Sequence, residues 1–382
     1  MKRLLTGAAL VALALPLITA CSSTEEPATA PTHQHASSAA APRVLPLRPG
    51  EHFQEVKYAK PITPAPPEGG LDEYRCVILD PKLTKPQFLT GVQFTPQNVP
   101  IAHHAITNVI APEHAAEVRA RDAKTPEEGW TCFGSVGVGE STWVDNWTPN
   151  VQETLLEGNL GFSLAPGSLI LMETHYSLLG TGGKPAGTDQ STVRLRLTDG
   201  NADTIKLDSV AQVAPIELPC ATEESGPLCD RAAAVANVKK RFGVAAGSME
   251  ENLLKMCGYA KPKPGTTQQC DTPVPGPMTV YAARGHMHLL GRAIKVELNP
   301  GKPDAEMLLD VPDFNFDDQA LQVLAQPIKL KAGDLLRTTC THDAALRRQL
   351  PQLKTLPPRY VVWGEGTADE MCLGILTASS GS

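Results

Sequence analysis

From Tyr74 to Thr377 the chain runs in short apolar or alternating segments, each cut off by Pro, Gly or Asn, and this punctuation constrains the fold more than any other feature. A first set covers 74–79, 87–94, 101–110, 158–164, 168–176 and 192–197. A second covers 205–213, 278–284, 293–298, 306–311, 321–330, 335–340, 360–363 and 371–377. Runs of this length with turn residues at the breaks are strands, and their regular spacing favours antiparallel sandwiches. The expectation is an all-β fold of two tandem antiparallel β-sandwich, jelly-roll-like domains, over 71–200 and 201–382. Helical periodicity is nearly absent, with one exception. Residues 230–242 and 248–256 are amphipathic runs rich in Ala and Leu, separated by a glycine-bounded stretch at 243–247. They predict a helical hairpin inserted into the second domain at about 220–270.

The chain begins Met1-Lys2-Arg3, continues apolar over 4–18 and reaches Ile18-Thr19-Ala20-Cys21. A basic start, a short apolar core and small residues before the cut make residues 1–21 a secretory signal, too short for a stable membrane span. The cysteine at the cut resembles the lipobox of bacterial lipoproteins, which implies lipidation of Cys21 as the mature N-terminus. Ser22 after it leans towards the outer membrane, so the expectation is an exported lipoprotein there, facing the periplasm or the cell surface. Membrane contact would then be through the lipid anchor only. Residues 22–70 are rich in Pro, Ala, Ser and Thr, with few large apolar groups, and read as a disordered tether. His33 and His35, inside it, read as polar filler.

Export sets an oxidising compartment, in which cysteines are disulfides first. Nine cysteines less Cys21 leave eight: Cys76, Cys132, Cys220, Cys229, Cys257, Cys270, Cys340 and Cys372. Sequence does not fix connectivity. Around the helical insert the expectation is a nested pair, Cys220–Cys270 outside Cys229–Cys257. Net charge is −7, and no basic block appears, so nucleic acid is not an expected partner.

The chemistry-bearing residues fall in four places. Ala283-Arg284-Gly285-His286-Met287-His288 closes a strand-like run, and histidines two apart on a strand share a face, a ready pair of metal ligands. His103-His104 ends the approach Ile101-Ala102, and His175 follows Leu171-Met172-Glu173-Thr174. Met371 lies in Asp369-Glu370-Met371-Cys372. Each has a plainer reading. His175 alone suits a satisfied group at a sheet edge, and Met371 suits core packing. Adjacent histidines on a regular strand face opposite ways, so His103 and His104 need a bulge or twist to share one ion.

Taken together and in order, these motifs resemble the copper type II, ascorbate-dependent monooxygenases, the family of peptidylglycine α-hydroxylating monooxygenase and dopamine β-monooxygenase. The resemblance runs from about Tyr74 to Thr377. It rests on His103-His104, His175-Tyr176, Arg284-Gly285-His286-Met287-His288, and Gly364 and Gly366 through Asp369-Glu370-Met371-Cys372. It implies two copper ions: an electron-transfer copper at His103, His104 and His175, and an oxygen-binding copper at His286, His288 and Met371. Those last three would be the catalytic ligands. Imidazole suits either copper oxidation state, and a thioether favours Cu(I). The implied reaction uses ascorbate to reduce both ions and dioxygen to hydroxylate a substrate C–H bond across a cleft between the domains. Disulfides Cys76–Cys132 and Cys340–Cys372 are implied by the same resemblance.

Arg284 stands where the peptide-hydroxylating relative grips its substrate's carboxylate, and Arg284 and Tyr74 are the expected substrate contacts. Leu373 and Ile375 replace the Asn and Tyr of that relative, and Glu173 replaces a Gln, which points to a more apolar pocket and a different small organic substrate. The helical insert departs from the animal enzymes. Two other classes compete: a non-catalytic copper-handling lipoprotein on the same scaffold, and a zinc hydrolase at His286 and His288. The second lacks an evident carboxylate partner, and Met371 suits zinc poorly.

Overall fold

The structure, a computed structural model, describes residues 45–66, 71–132, 141–149, 151, 153–184 and 186–381. It is all-β, as the punctuation indicated, and its strands form three sheets. The first, of five strands, runs β5 (Trp130–Thr131), β2 (Asp72–Leu79), β8 (Leu169–Ser177), β4 (Ala102–Ile110), β6 (Ser141–Trp147). The second, of four, runs β11 (Thr267–Pro273), β16 (Leu335–His342), β13 (Gly291–Leu298), β14 (Glu306–Val311). The third has eight strands and serves both halves of the chain. Its order is β1 (Glu51–Lys57), β9 (Thr192–Thr198), β3 (Gln87–Thr95), β7 (Leu160–Leu164), β10 (Ile205–Val213), β17 (Leu373–Ser380), β12 (Met278–His286), β15 (Gln322–Leu330). The halves join where β7 and β10 pair in parallel, Leu160 opposite Ile205 and Phe162 opposite Leu207.

Each smaller sheet packs on its own part of the large one. One core gathers Val77, Leu89, Val109, Met172, Val193 and Leu195; the other gathers Val280, Ile294, Val296, Leu336 and Leu376. Alternation along each strand sends one face into a core and turns the other away from it. In the five-stranded sheet that second face carries Tyr74, Ile106, Glu173 and His175, because Tyr74 stands opposite His175 and Ile106 opposite Glu173. In the large sheet Gly285 and Gly374 face the second core, where an added Cβ would meet Ile294 or Val296 within 2.7 Å. Their neighbours Arg284, His286, Leu373 and Ile375 therefore look the other way, paired His286 with Leu373 and Arg284 with Ile375.

Several expectations need correction. The tether does not run through to 70. Residues 51–57 form β1, paired along its length with β9 from Glu51–Thr198 to Lys57–Thr192. The strand has no buried apolar face. Its backbone ladder and the ion pair of Glu51 with the fully buried Arg196, at 3.0 Å, hold it instead. Tyr58 and Ile62, just beyond, are buried. Cys21, His33 and His35 lie outside the described residues.

A helix not expected from the sequence, α1 (Pro112–Asp122), buries only Val118, too little to leave an apolar stripe. Residues 360–363 make only isolated bridges, Val361 with Leu218 and Trp363 with Glu370. The insert forms α2 (Arg231–Met256), capped by Asp230, whose side chain accepts from Ala233 N–H at 2.8 Å. It breaks at Gly243, where φ is 91° and a side chain would be strained. Past the break the helix packs back so closely that a Cβ on Gly247 would fall 2.4 Å from Lys239 Cβ. Among the described residues no helix is long and apolar enough to cross a membrane.

The disulfides around the insert are not nested. Cys220 joins Cys229, and Cys257 joins Cys270, with Cα separations of 5.6 and 5.0 Å. The chain doubles back twice on a short scale: through the turn ending in the 3₁₀ element Pro227–Cys229, and from the end of α2 into β11. Each staple closes one of these local returns and leaves the helices unbridged. The other two bonds, Cys76–Cys132 and Cys340–Cys372, are those the family resemblance implied.

Candidate metal centre

His103, His104 and His175 meet, buried, on the face of the five-stranded sheet turned away from its core. Between Ala102 and His104 the register of β4 against β8 slips, so that His104 stands opposite His175 with His103 as the extra residue. This is the bulge that an adjacent histidine pair requires to reach one side of a strand. The three side chains offer nitrogen atoms that all lie within 4.8 Å of one another. His104 Nδ1 is 3.2 Å from His103 Nδ1 and 3.3 Å from His175 Nδ1. Each outer ring points its other nitrogen at a carboxylate. His175 Nε2 is 2.9 Å from Asp72 Oδ1, and His103 Nε2 is 3.4 Å from Asp317 Oδ1. A ring that presents Nε2–H to a carboxylate has its lone pair on Nδ1. For His175 that lone pair faces His104 Nδ1, and His103 Nδ1 approaches the same atom from the other side. Nitrogens about 3.3 Å apart match the edge of a tetrahedron built on metal–nitrogen bonds of about 2.0 Å.

The second set sits at the end of β12 and in the turn after it. His286 and His288 have ring centroids 5.3 Å apart, while Met287 between them is buried on the core side. Here Nδ1 is the occupied nitrogen. His286 Nδ1 lies 2.6 Å from Gln319 Oε1, and His288 Nδ1 lies 3.2 Å from the Asp369 carbonyl. Donation from Nδ1–H leaves the lone pair on Nε2, and among the described residues His288 Nε2 is buried with no hydrogen-bond partner. Met371 follows Glu370, whose carboxylate accepts the backbone N–H groups of His288, at 3.0 Å, and Leu290, at 2.6 Å. Cys340–Cys372 anchors the next residue, so Met371 and the His288 turn are fixed together.

Burial favours the neutral form of His104, His175, His286 and His288. It lowers His175 to about 4 and His286 to about 3, with neighbouring imidazoles adding to the effect. It lowers His104 well below the usual range and lowers His288 in the same direction. Neutral imidazole is the form that binds a metal. For Asp72 burial acts upward, but the hydrogen bond and charge of His175, with Thr367, hold it down to about 2.

The two sets are not separated by an open gap. His104 and His286 have ring centroids 5.7 Å apart. One cavity of about 190 Å³ is lined by Tyr74, His104 and Glu173 from the first half and by His286, Glu365, Met371 and Leu373 from the second. Ile106, Trp143, Met249 and Trp363 add apolar wall. Tyr74 also stacks flat on His175, with centroids 4.2 Å apart and planes 6° off parallel. Burial pushes the Glu173 carboxyl up to about 7 and, with the neighbouring charges of Glu173 and Asp369, pushes Glu365 up to about 8. Arg284 is not among the lining residues. Its Nη2 reaches Asp145 Oδ1 on β6 at 3.1 Å, an ion pair joining the two halves.

The insert contributes directly. Met249 lines the cavity, Arg241 grips Asp369 with both terminal nitrogens, and Glu250 accepts the N–H of Trp363 at 3.2 Å. These supports, with Asp72, Asp317, Gln319 and Glu365, carry no signal in the sequence alone. Most are polar residues far along the chain from the group they meet, as Arg241 is from Asp369 and Asp72 is from Thr367.

Residues 265–377 match the family model described as copper type II ascorbate-dependent monooxygenase, C-terminal domain. That stretch of the chain belongs to this family, and it contains His286, His288 and Met371. Among solved structures, the chain is similar to the major capsid protein P2 from Bacteriophage PM2, at 10% identity over 87% of this chain and 98% of that one, with a TM-score of 0.32. It is also similar to allantoicase, at 14% identity over 83% and 90% with a TM-score of 0.18. Nothing about the site rests on these two.

Proposed function

We propose that the protein is a copper- and ascorbate-dependent monooxygenase that hydroxylates a C–H bond of a small organic molecule with dioxygen. His103, His104 and His175 would hold the electron-transfer copper, and His286, His288 and Met371 the oxygen-binding copper. The observation that carries this reading is the single cavity bordered by His104 from one set and by His286 and Met371 from the other. The donor sets also fit the ion: three converging Nδ1 atoms in the first, and two imidazoles with a soft thioether in the second. Bound copper would supply the one-electron chemistry and the activation of dioxygen.

The protein's own part is ligation, orientation and exclusion of water. Asp72 and Gln319 fix the tautomers of His175 and His286, so each ring is ready to bind without losing a proton. Ile106, Trp143, Met249, Trp363 and Leu373 favour an apolar substrate body, and Tyr74 is its polar contact at the first set. Leu373 opposite His286 supports a substrate other than a peptide carboxylate. Arg284, engaged with Asp145, is a structural tie in this reading. Lipidation at Cys21 would hold the enzyme at the outer membrane by its anchor, with dioxygen and the small substrate as its partners and no role for nucleic acid.

The test is ascorbate-dependent oxygen consumption by copper-loaded protein across a panel of small organic compounds, with product analysis. A hydroxylated product with matching oxygen uptake is expected. Tight copper binding without oxygen uptake on any compound would replace this reading with a copper-handling role.

A further inference from the structure

One turn of the second half reaches both ligand sets. Residues 314–319 link β14 to β15, and so pass from the four-stranded sheet to the eight-stranded one. The turn is tied internally: Asp318 N–H to the Asn315 carbonyl at 3.1 Å, Asp317 N–H to Asn315 Oδ1 at 3.0 Å, and Gln319 Nε2 to the Phe316 carbonyl at 2.9 Å. Phe314 N–H bonds to the Arg292 carbonyl at 2.9 Å, which fixes the turn to β13. Asp317 and Gln319 are both buried, and Phe316 almost completely so.

Three side chains of this turn touch ligands. Gln319 Oε1 takes His286 Nδ1 at 2.6 Å, Asp317 Oδ1 stands 3.4 Å from His103 Nε2, and the Phe316 ring stacks on His103 with centroids 4.3 Å apart. The same ring stands edge-on to His288 at 6.0 Å. A first-half histidine therefore faces a second-half carboxylate two residues from the amide that orients a second-half histidine. We infer that the turn 314–319 couples the two metal sites, with Asp317 and Gln319 as positioning residues and Phe316 as the shared wedge.

The physical reason is in the polar partners that the turn sets against the two rings, a hydrogen bond for His286 and a carboxylate at 3.4 Å for His103. The partner of the non-ligating nitrogen sets the tautomer and ring angle and raises the basicity of the ligating one, and its loss typically costs about 10–100-fold in metal affinity. Filling the second site holds His286 on Gln319. Gln319 is bonded to the carbonyl of Phe316, so the turn is held, and with it the Asp317 carboxylate and the ring against His103. Coupling of this kind is reciprocal: each ion raises the affinity for the other by the same factor.

The inference rests on the copper reading, and the experiment separates their failures. Cu(I) affinity at each site would be measured by competition with a chromophoric chelator, and the Cu(II) electron paramagnetic resonance spectrum recorded, on the full chain. Asp317→Asn is expected to weaken the first site about 10–100-fold and shift its spectrum, with Asp317→Glu restoring part of both. His288→Ala, which empties the second site, is expected to weaken the first several-fold, and Gln319→Leu to abolish that difference. If wild type takes up two copper ions but Asp317→Asn leaves first-site affinity and spectrum unchanged, the coupling is wrong and the copper reading stands. Equal first-site affinity with the second site filled or empty overturns the coupling as well. If wild type binds no copper, both fall. Should Asp317→Asn not fold, the wild-type comparison with His288→Ala decides alone.

Discussion

Glu370 is the most informative single residue to remove, because the turn that carries His288 hangs on it. Its carboxylate is fully buried and accepts two backbone N–H groups, His288 at 3.0 Å and Leu290 at 2.6 Å, with His342 Nε2 a further 3.4 Å away. Glu370→Ala would leave both donors buried without a partner. Each such group costs about 1–3 kcal/mol, so the substitution should destabilise the metal-free protein by about 2–6 kcal/mol. Glu370→Gln keeps one carbonyl acceptor and loses one bond, and should cost about half as much. The assay is urea unfolding of all three proteins, followed by tryptophan fluorescence and circular dichroism, with equal slopes required before midpoints are compared. A loss below about 1 kcal/mol for the alanine variant, or equal losses for both variants, would refute the view that these two bonds hold the turn.

Other expectations follow from the same geometry. Replacing Cys340 and Cys372 together with Ser opens a loop of sequence separation 32. The loss by loop entropy is about 4 kcal/mol, and copper at the methionine site should weaken with it; unchanged urea midpoint and copper affinity would contradict this. Met371→Ala should lose one copper of two and all hydroxylation, with the histidine-only site still loaded; normal turnover would exclude Met371 as a ligand. Glu365 sits near 8 in the folded chain against an ordinary value of 4.5, so the folded state holds the proton more tightly than the unfolded one. Its contribution is fully present below about pH 4.5 and is lost as pH rises through about 8, with a slope of at most about 1.4 kcal/mol per pH unit. Glu365→Gln should flatten urea midpoints between those limits, and an unaltered pH profile would show that the carboxyl is not titrating there.

The strands were legible because alternation records burial: a segment with one face in a core must repeat its apolar residues with period two. Where that cause was missing, the sequence was silent. β1 is held by its ladder and by Glu51 on Arg196, and α1 buries only Val118, so neither carries an apolar pattern. The types and order of the candidate ligands were visible, but their convergence was not. Strict alternation would send His103 and His104 apart, and only the slip of β4 against β8 brings them together. The local pairing of Cys220 with Cys229 and Cys257 with Cys270 depends on where the chain doubles back, which spacing does not encode. Asp317 and Gln319 sit in Asn315-Phe316-Asp317-Asp318-Gln319, which reads as an ordinary polar turn until the fold sets it against both histidine sets.

The most direct test of the two-site account is metal content after purification without added metal, repeated after reconstitution with Cu(I). The account requires two copper ions per chain in the wild type, one after His103→Ala and one after Met371→Ala, each missing from a different site by its Cu(II) spectrum. One copper per chain in the wild type, or stoichiometric zinc that copper does not displace, would contradict it.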